Sequence, residues 1–217
     1  MYEIPLFPLN TILFPGMPLH LHIFEDRYKK MMNKCIAEEI PFGVVLIKSG
    51  QEAGETAEPF SVGCTAHIDQ VQPLKDGRMN MSAIGRTRFK IHELSYDEPY
   101  LVGKVEDLPF EKTLSKDDKI KGWYLQKLVK NYVEVLSTIG DIDIKVDSFP
   151  KEPIKLAYMA AMLLQAPYQK KQAFLEINSA DKLVHEIYDA CRREISVLRS
   201  MLNPVISPNQ DGPFSLN

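Results

Sequence analysis

The hydrophobic period of this chain changes once, near Pro109, and that change constrains the fold more than any other feature. From Met1 to about Pro109 apolar residues recur at every second position, the spacing of strands; beyond it they recur at helical spacing. Strands grouped before helices give an α+β architecture rather than alternating βαβ units. The expected organisation is a β-rich, barrel-like unit over 1–110, a helical bundle over 111–203 and a flexible tail over 204–217.

The strand half can be followed run by run. In "MPLHLHIF", Leu19, Leu21 and Ile23 fall on one face and His20, His22 and Phe24 on the other. "FGVVLIKSG" is a β-branched run closed by Gly50. "VGCTAHIDQV" and "RMNMSAIGRTRFKI" are joined through Asp76 and Gly77, a strong hairpin signal, and "YLVGKVEDL" completes the set. One helix interrupts them over about 25–39, with Tyr28, Met31, Met32, Cys35 and Ile36 on a shared face.

In the second half, Ser115 and Asp118 form a capping box before a long helix with the stripe Leu125, Leu128, Tyr132, Val135, Leu136 and Ile139, stopped by Gly140. "DIDIKVDSFPKEP" is a connector. "IKLAYMAAMLL" is apolar on nearly every side, so a helix there is central. Pro167 ends it, a short helical turn covers 169–176, and Ser179 caps a last helix striped with Val184, Ile187, Cys191, Ile195, Leu198 and Leu202.

Charge and cysteine content narrow the function. A net charge of -3 argues against a general polyanion binder. Cys35, Cys64 and Cys191 are widely spaced, odd in number and without a CxxC, which fits neither a disulfide framework nor a zinc ribbon and suits a reducing cytoplasm. Pro5, Pro8, Pro15 and Pro18 break up the greasy N-terminal stretch, and no apolar run nears the roughly 20 residues of a spanning helix. No membrane association is expected.

Seven motifs in register resemble the N-terminal, substrate-binding domain of Lon proteases. They are "PLFPL" at 5–9, "LFPG" at 13–16, "LHIFEDRY" at 21–28, "FGVVLI" at 42–47, "VGCTAHI" at 62–68, "DGRMNMSAIGRTRFKI" at 76–91 and "KKQAFLE" at 170–176. The resemblance implies a small PUA-like β-barrel with one helix, packed against a helical bundle. It also implies that Pro8, Phe14, Pro15, Gly16, Phe24, Glu25, Arg27, Tyr28, Gly63 and the Asp76-Gly77 turn are mainly architectural. His20 departs from the family's usual proline, and Cys64 from its frequent threonine.

No P-loop pattern opens at any of the eleven glycines, and no peptidase domain follows, so the expectation is a stand-alone, non-catalytic protein without cofactor or metal. The burial habits of free cysteine assign Cys35 and Cys191 to the core. His20 and His22 could chelate a metal only with a third ligand from elsewhere. Glu25 and Arg27 read as an ion-paired joint rather than an acid–base pair.

The resemblance implies binding of unfolded or extended polypeptide, or of an unidentified protein partner, with an adaptor role in protein quality control as an extension. Trp123, Met79 and Met81 are candidates for that surface. Trp123 lies off its helix's apolar stripe and is expected to dock against the β unit, and the bland reading of Met79 and Met81 is an inward strand face. The alternative function is RNA binding through Arg86, Arg88, Lys90 and His92, which share a strand face with Asn80 and Ser82. That face lacks interleaved aromatics for stacking bases.

Overall fold

The computed structural model describes residues 1–50, 57–111, 114, 116–139 and 149–202, with the side chains of 116–121 and 139 excepted. The elements are β1 (Tyr2–Leu9), β2 (Pro18–Ile23), α1 (Asp26–Ala37), β3 (Phe42–Ser49), β4 (Glu58–Pro59), β5 (Val62–Pro73), β6 (Met79–Ser95), β7 (Leu101–Asp107), α2 (Lys116–Ile139), α3 (Pro153–Leu163), α4 (Tyr168–Glu176) and α5 (Ala180–Leu202). Strands with one helix precede four helices, the α+β order that the period change implies. The two-residue β4 is too short to leave a periodic signal. Ser115, the Asp118 side chain, Gly140, the connector at 141–148 and the tail over 204–217 lie outside the described residues.

The strand pairings run in a circuit. β1 pairs with β7, β7 with β6, β6 with β5, β5 with β3, and β3 returns to β1 in the only parallel pairing among the described strands. Inside it sits a compact apolar cluster of Ile4, Leu6, Val45, Phe89, Leu101 and Val105. The space is tight enough to require Gly63: a Cβ there would lie 2.5 Å from the Val44 carbonyl oxygen and 2.6 Å from Phe89 Cζ.

The prolines of β1 fit the stagger of this circuit. Tyr2–Leu6 pairs with β7, whereas Leu6–Leu9 pairs with β3. Pro5 and Pro8 therefore each lie where only one neighbouring strand is present, and the missing N–H costs no ladder bond on the open side.

β6 changes neighbour midway. Met79–Ile84 pairs with β2, and Phe89–Ser95 pairs with β7. Between them the register against β5 slips, Thr65 alone between Cys64 and Ala66 facing both Arg86 and Thr87 between Gly85 and Arg88. Thr65 Oγ1 fills the gap by accepting the Thr87 N–H at 3.0 Å. The "LFPG" segment docks at the same point. Phe14 to Met17 form a turn closed by Met17 N–H to the Phe14 carbonyl at 3.1 Å, and Gly16 adopts φ +82°. Proline second and glycine third are the demands of a type II turn. Gly16 N–H then donates to the Gly85 carbonyl at 2.8 Å.

The slip overturns the expected basic stripe. Arg86 and Lys90 are exposed, but Arg88 is only 3% exposed and turns toward the helices. Its Nη1 donates to the carbonyls of Leu175 at 2.8 Å and Ile177 at 2.5 Å, and its guanidinium lies 4.2 Å from the centre of the Phe110 ring. Burial pulls its pKa down from the ordinary arginine value. On α4, Gln172 Nε2 donates to the Val62 carbonyl at 2.9 Å, so side chains from both halves stitch the junction. Above them Tyr158 of α3 stacks on Phe14 at 5.4 Å and on Phe110 at 6.4 Å.

The helices pack through α2, α3 and α5. Leu125, Val129, Tyr132, Val133 and Leu136 of α2 face Leu183, Val184, Ile187 and Cys191 of α5, with Ala157, Ala160 and Ala161 letting α3 approach closely. Tyr132 hydroxyl donates to Glu194 Oε1 at 2.5 Å, and the same carboxylate accepts the Gln165 N–H beyond the end of α3. Two stripe assignments shift: Ile36, at the margin of the buried face of α1, is 40% exposed, and Leu202, the last residue of α5, is 41% exposed.

Candidate functional site

β2 borders two open concave surfaces. Leu19, Leu21 and Ile23 turn inward opposite Ala83, Met81 and Met79, while His20 and His22 turn outward opposite Ser82 and Asn80. His22 Nδ1 lies 2.7 Å from Asn80 Oδ1. On this polar face a shallow depression of about 570 Å³ is lined by His20, His22, Gln70, Gln72, Asn80 and Ser82. These side chains offer hydrogen bonds, and Leu21, Val71 and Met81 add apolar surface. Among the described residues no group of three or more His, Cys, Asp or Glu side chains is placed to share a metal ion.

A second groove, about 320 Å³, shares His20, Leu21 and His22 with the first and extends from β2 toward β1 and α1. Phe7, Leu9, Leu21, Phe24 and Tyr28 form its apolar walls, with Glu25 at one end. Phe24 is 56% exposed and stacks on His22 at 6.1 Å. Glu25 accepts from Arg27 Nε at 2.9 Å, and the Arg27 guanidinium lies 4.5 Å from the centre of the Tyr28 ring. The pair stands at the strand-to-helix handover, Glu25 at the N-cap of α1 and Asp26 in its first turn. It is a joint, and it leaves the groove with no net charge.

The three residues expected to form a binding surface do not come together. Met79 and Met81 are 7% and 4% exposed because the pleat puts them under Ile23 and Leu21. Trp123 does not dock against the β unit. It is 51% exposed on α2, edge-on to Tyr124 at 5.1 Å, with Lys127 Nζ 3.7 Å from its ring centre. The buried face of α2 is Leu125, Val129 and Tyr132, and position 123 lies off it. A lysine over the ring satisfies the indole face without burying it. Beside this aromatic pair, Tyr124, Val184, Tyr188 and Arg192 line a groove of about 420 Å³ between α2 and α5.

The remaining family-motif residues are structural in position: Pro8 in β1, Phe14, Pro15 and Gly16 in the docking turn, Tyr28 in the core, Gly63 against Phe89. At the β5–β6 hairpin, Asp76 accepts from the Arg78 amide and Gly77 takes φ +79°. The three cysteines are free and buried, and burial pushes the thiols of Cys35 up to about 11 and of Cys64 and Cys191 up to about 12. Thiols held protonated in this way are not nucleophiles.

Sequence reasoning missed Arg88 as the buried tie between halves. Gly85 inside a strand pattern was the available signal, since an isolated glycine there marks a bulge and a bulge re-aims the residues after it.

Strands in a circuit, followed by a helical bundle and tied to it through buried side chains, define a mixed α/β module whose accessible concavities lie on its outer surface. The chain belongs to the family described as the ATP-dependent protease La (LON) substrate-binding domain, whose sequence model matches residues 3–193. Lon protease 2 of Myxococcus xanthus is 27% identical over 212 residues, covering 94% of this chain and 25% of that protein. The Lon protease of Parabacteroides distasonis is 30% identical over 152 residues, covering 69% of this chain and 17% of that protein. The chain thus spans about a quarter or less of the curated relatives it matches.

Among solved structures, a Lon N-terminal domain protein from Xanthomonas campestris superposes with a TM-score of 0.64 at 20% identity, covering 86% of this chain and 97% of that one. The N-terminal domain of the Mycobacterium avium complex Lon protease gives 0.67 at 19% identity, covering 88% and 98%. These likenesses show the fold. No helix among the described residues is long and apolar enough to cross a membrane.

Proposed function

We propose that this protein binds polypeptide substrates noncovalently and performs no chemistry on them. The observation that carries the reading is the uncharged apolar groove beside β2, with Phe24 standing 56% exposed at its wall, in a chain of a substrate-binding-domain family. Unfolded chains differ from folded ones chiefly in the aliphatic and aromatic side chains they expose, and an open apolar groove with a polar rim selects for those. In this reading the circuit of strands is a barrel-like platform that holds the groove rigid. The exposed Trp123–Tyr124 pair lies on the helical half, a second surface that supports an adaptor role: a client held at β2 would leave it free for other machinery.

The test is an anisotropy titration with fluorescein-labelled, reduced and carboxymethylated α-lactalbumin, with native α-lactalbumin and a single-stranded RNA as controls. Saturable binding of the unfolded chain alone is expected, and Phe24→Ala should weaken it by about tenfold, the effect of removing one well-placed aromatic anchor. Equal binding of the native protein would overturn the reading. So would binding of RNA alone with a steep salt dependence, which would move the function to Arg86 and Lys90.

A further inference from the structure

Among the described residues β2 pairs with β6 along one edge and with no strand along the other. The phase of that free edge is fixed. Gly85 N–H donates to the Met17 carbonyl at 2.9 Å, so in an antiparallel ladder Leu19, Leu21 and Ile23 direct their amides and carbonyls toward β6. His20 and His22 direct theirs outward. The side chains agree with this phase: His22 and Asn80 are then a non-hydrogen-bonded pair, the kind whose side chains approach most closely, and they meet at 2.7 Å. No backbone partner meets the outward groups of His20 and His22 among the described residues.

The two concavities described above meet at this strand and share His20, Leu21 and His22. One extends from it toward Phe7, Leu9, Phe24 and Tyr28 and the other toward Gln70, Gln72, Asn80 and Ser82. An extended chain alternates its side chains between two faces. A row of outward donors and acceptors repeating every second residue, about 6.8 Å apart, is complemented along its length by another extended backbone.

We propose that an extended polypeptide segment binds as an added strand on the free edge of β2. Its main chain bonds the N–H and C=O of His20 and His22, its apolar side chains enter the Phe24 groove, and its intervening polar side chains lie over Asn80 and Ser82. This rests on the polypeptide-binding reading and adds the mode: main-chain pairing gives affinity with little regard to sequence, and the apolar groove sets an every-second-residue preference.

The probe is a short fluorescein-labelled peptide of alternating valine and threonine, compared with the same peptide N-methylated at alternate amides. The protein variant is His22→Pro, because proline fits an edge position whose N–H points outward and leaves the β2–β6 bonds in place. His22→Ala, which keeps the backbone N–H, is its control. His22→Pro should weaken peptide binding by about tenfold and His22→Ala by no more than about twofold. N-methylation should abolish binding in one of its two phases. On wild-type protein, hydrogen exchange at the His20 and His22 amides should slow when peptide is added.

If wild type binds the peptide while a folded His22→Pro binds it equally and the two amides are unprotected, the added-strand mode is wrong and polypeptide binding stands. If wild type binds neither the peptide nor unfolded α-lactalbumin, both fall. Should His22→Pro fail to fold, the exchange and N-methylation results on wild type decide alone.

Discussion

The guanidinium of Arg88 is held by main-chain carbonyls rather than by a carboxylate: Leu175 and Ile177 accept its bonds where α4 ends, and the Phe110 ring covers one face. A planar fork suits such a site, and with no carboxylate paired to it among the described residues this buried cation depends on those bonds. Arg88→Met removes the charge but strands two carbonyls in the junction, and should lower stability by about 2–4 kcal/mol in urea unfolding. Arg86→Ala, two residues away but exposed, should change it by no more than about 0.5 kcal/mol. Equal effects of the two would mean that Arg88 is not the tie described.

Within β6 the consequences of one bulge can be separated from those of packing. Before Gly85 the strand serves β2 and the accessible groove; after Arg88 it serves β7 and the interior cluster around Phe89. Gly63 lies opposite Phe89, so Gly63→Ala must displace either that ring or the Val44 backbone. It should cost about 2 kcal/mol or more, seen as a lower thermal midpoint. A midpoint unchanged from wild type would show that the cluster has room to give.

The strands themselves were legible in the sequence because alternation is a local property: the faces of β2, with Leu19, Leu21 and Ile23 opposed to His20 and His22, follow from spacing alone. Where alternation breaks, at Arg86 to Arg88, spacing misassigned the face, because a bulge is set by pairing with Thr65 on another strand. The exposure of Trp123 was equally out of reach, since which faces of α2 are covered depends on where α3 and α5 lie. The groove beside β2 needs Phe7 and Tyr28, which lie within 22 residues in sequence but are brought together only by tertiary packing.

At the scale of the whole molecule, one apolar core runs through both halves: Phe14 and Met17 from the strand side belong to the same cluster as Tyr158 and Leu183 from the helices. Phe14 stacks directly on Tyr158. The two halves should therefore unfold together, with far-ultraviolet circular dichroism and tyrosine fluorescence giving coincident urea transitions. Phe14→Ala should lower the shared midpoint by the equivalent of about 3–5 kcal/mol without splitting it. Two separated transitions in the variant would show that the halves are independent units.

The circuit of strands also sets a timetable. β1 is made well before β7, yet Tyr2 is paired with Val105. At ribosomal speeds of about 5–20 residues per second, its partner in β7 appears roughly 5–20 s later. For that interval Ile4 and Leu6 must wait without β7 beside them, and their cluster with Leu101 and Val105 cannot form. A protein proposed to hold the unpaired segments of others thus carries one of its own through much of its synthesis.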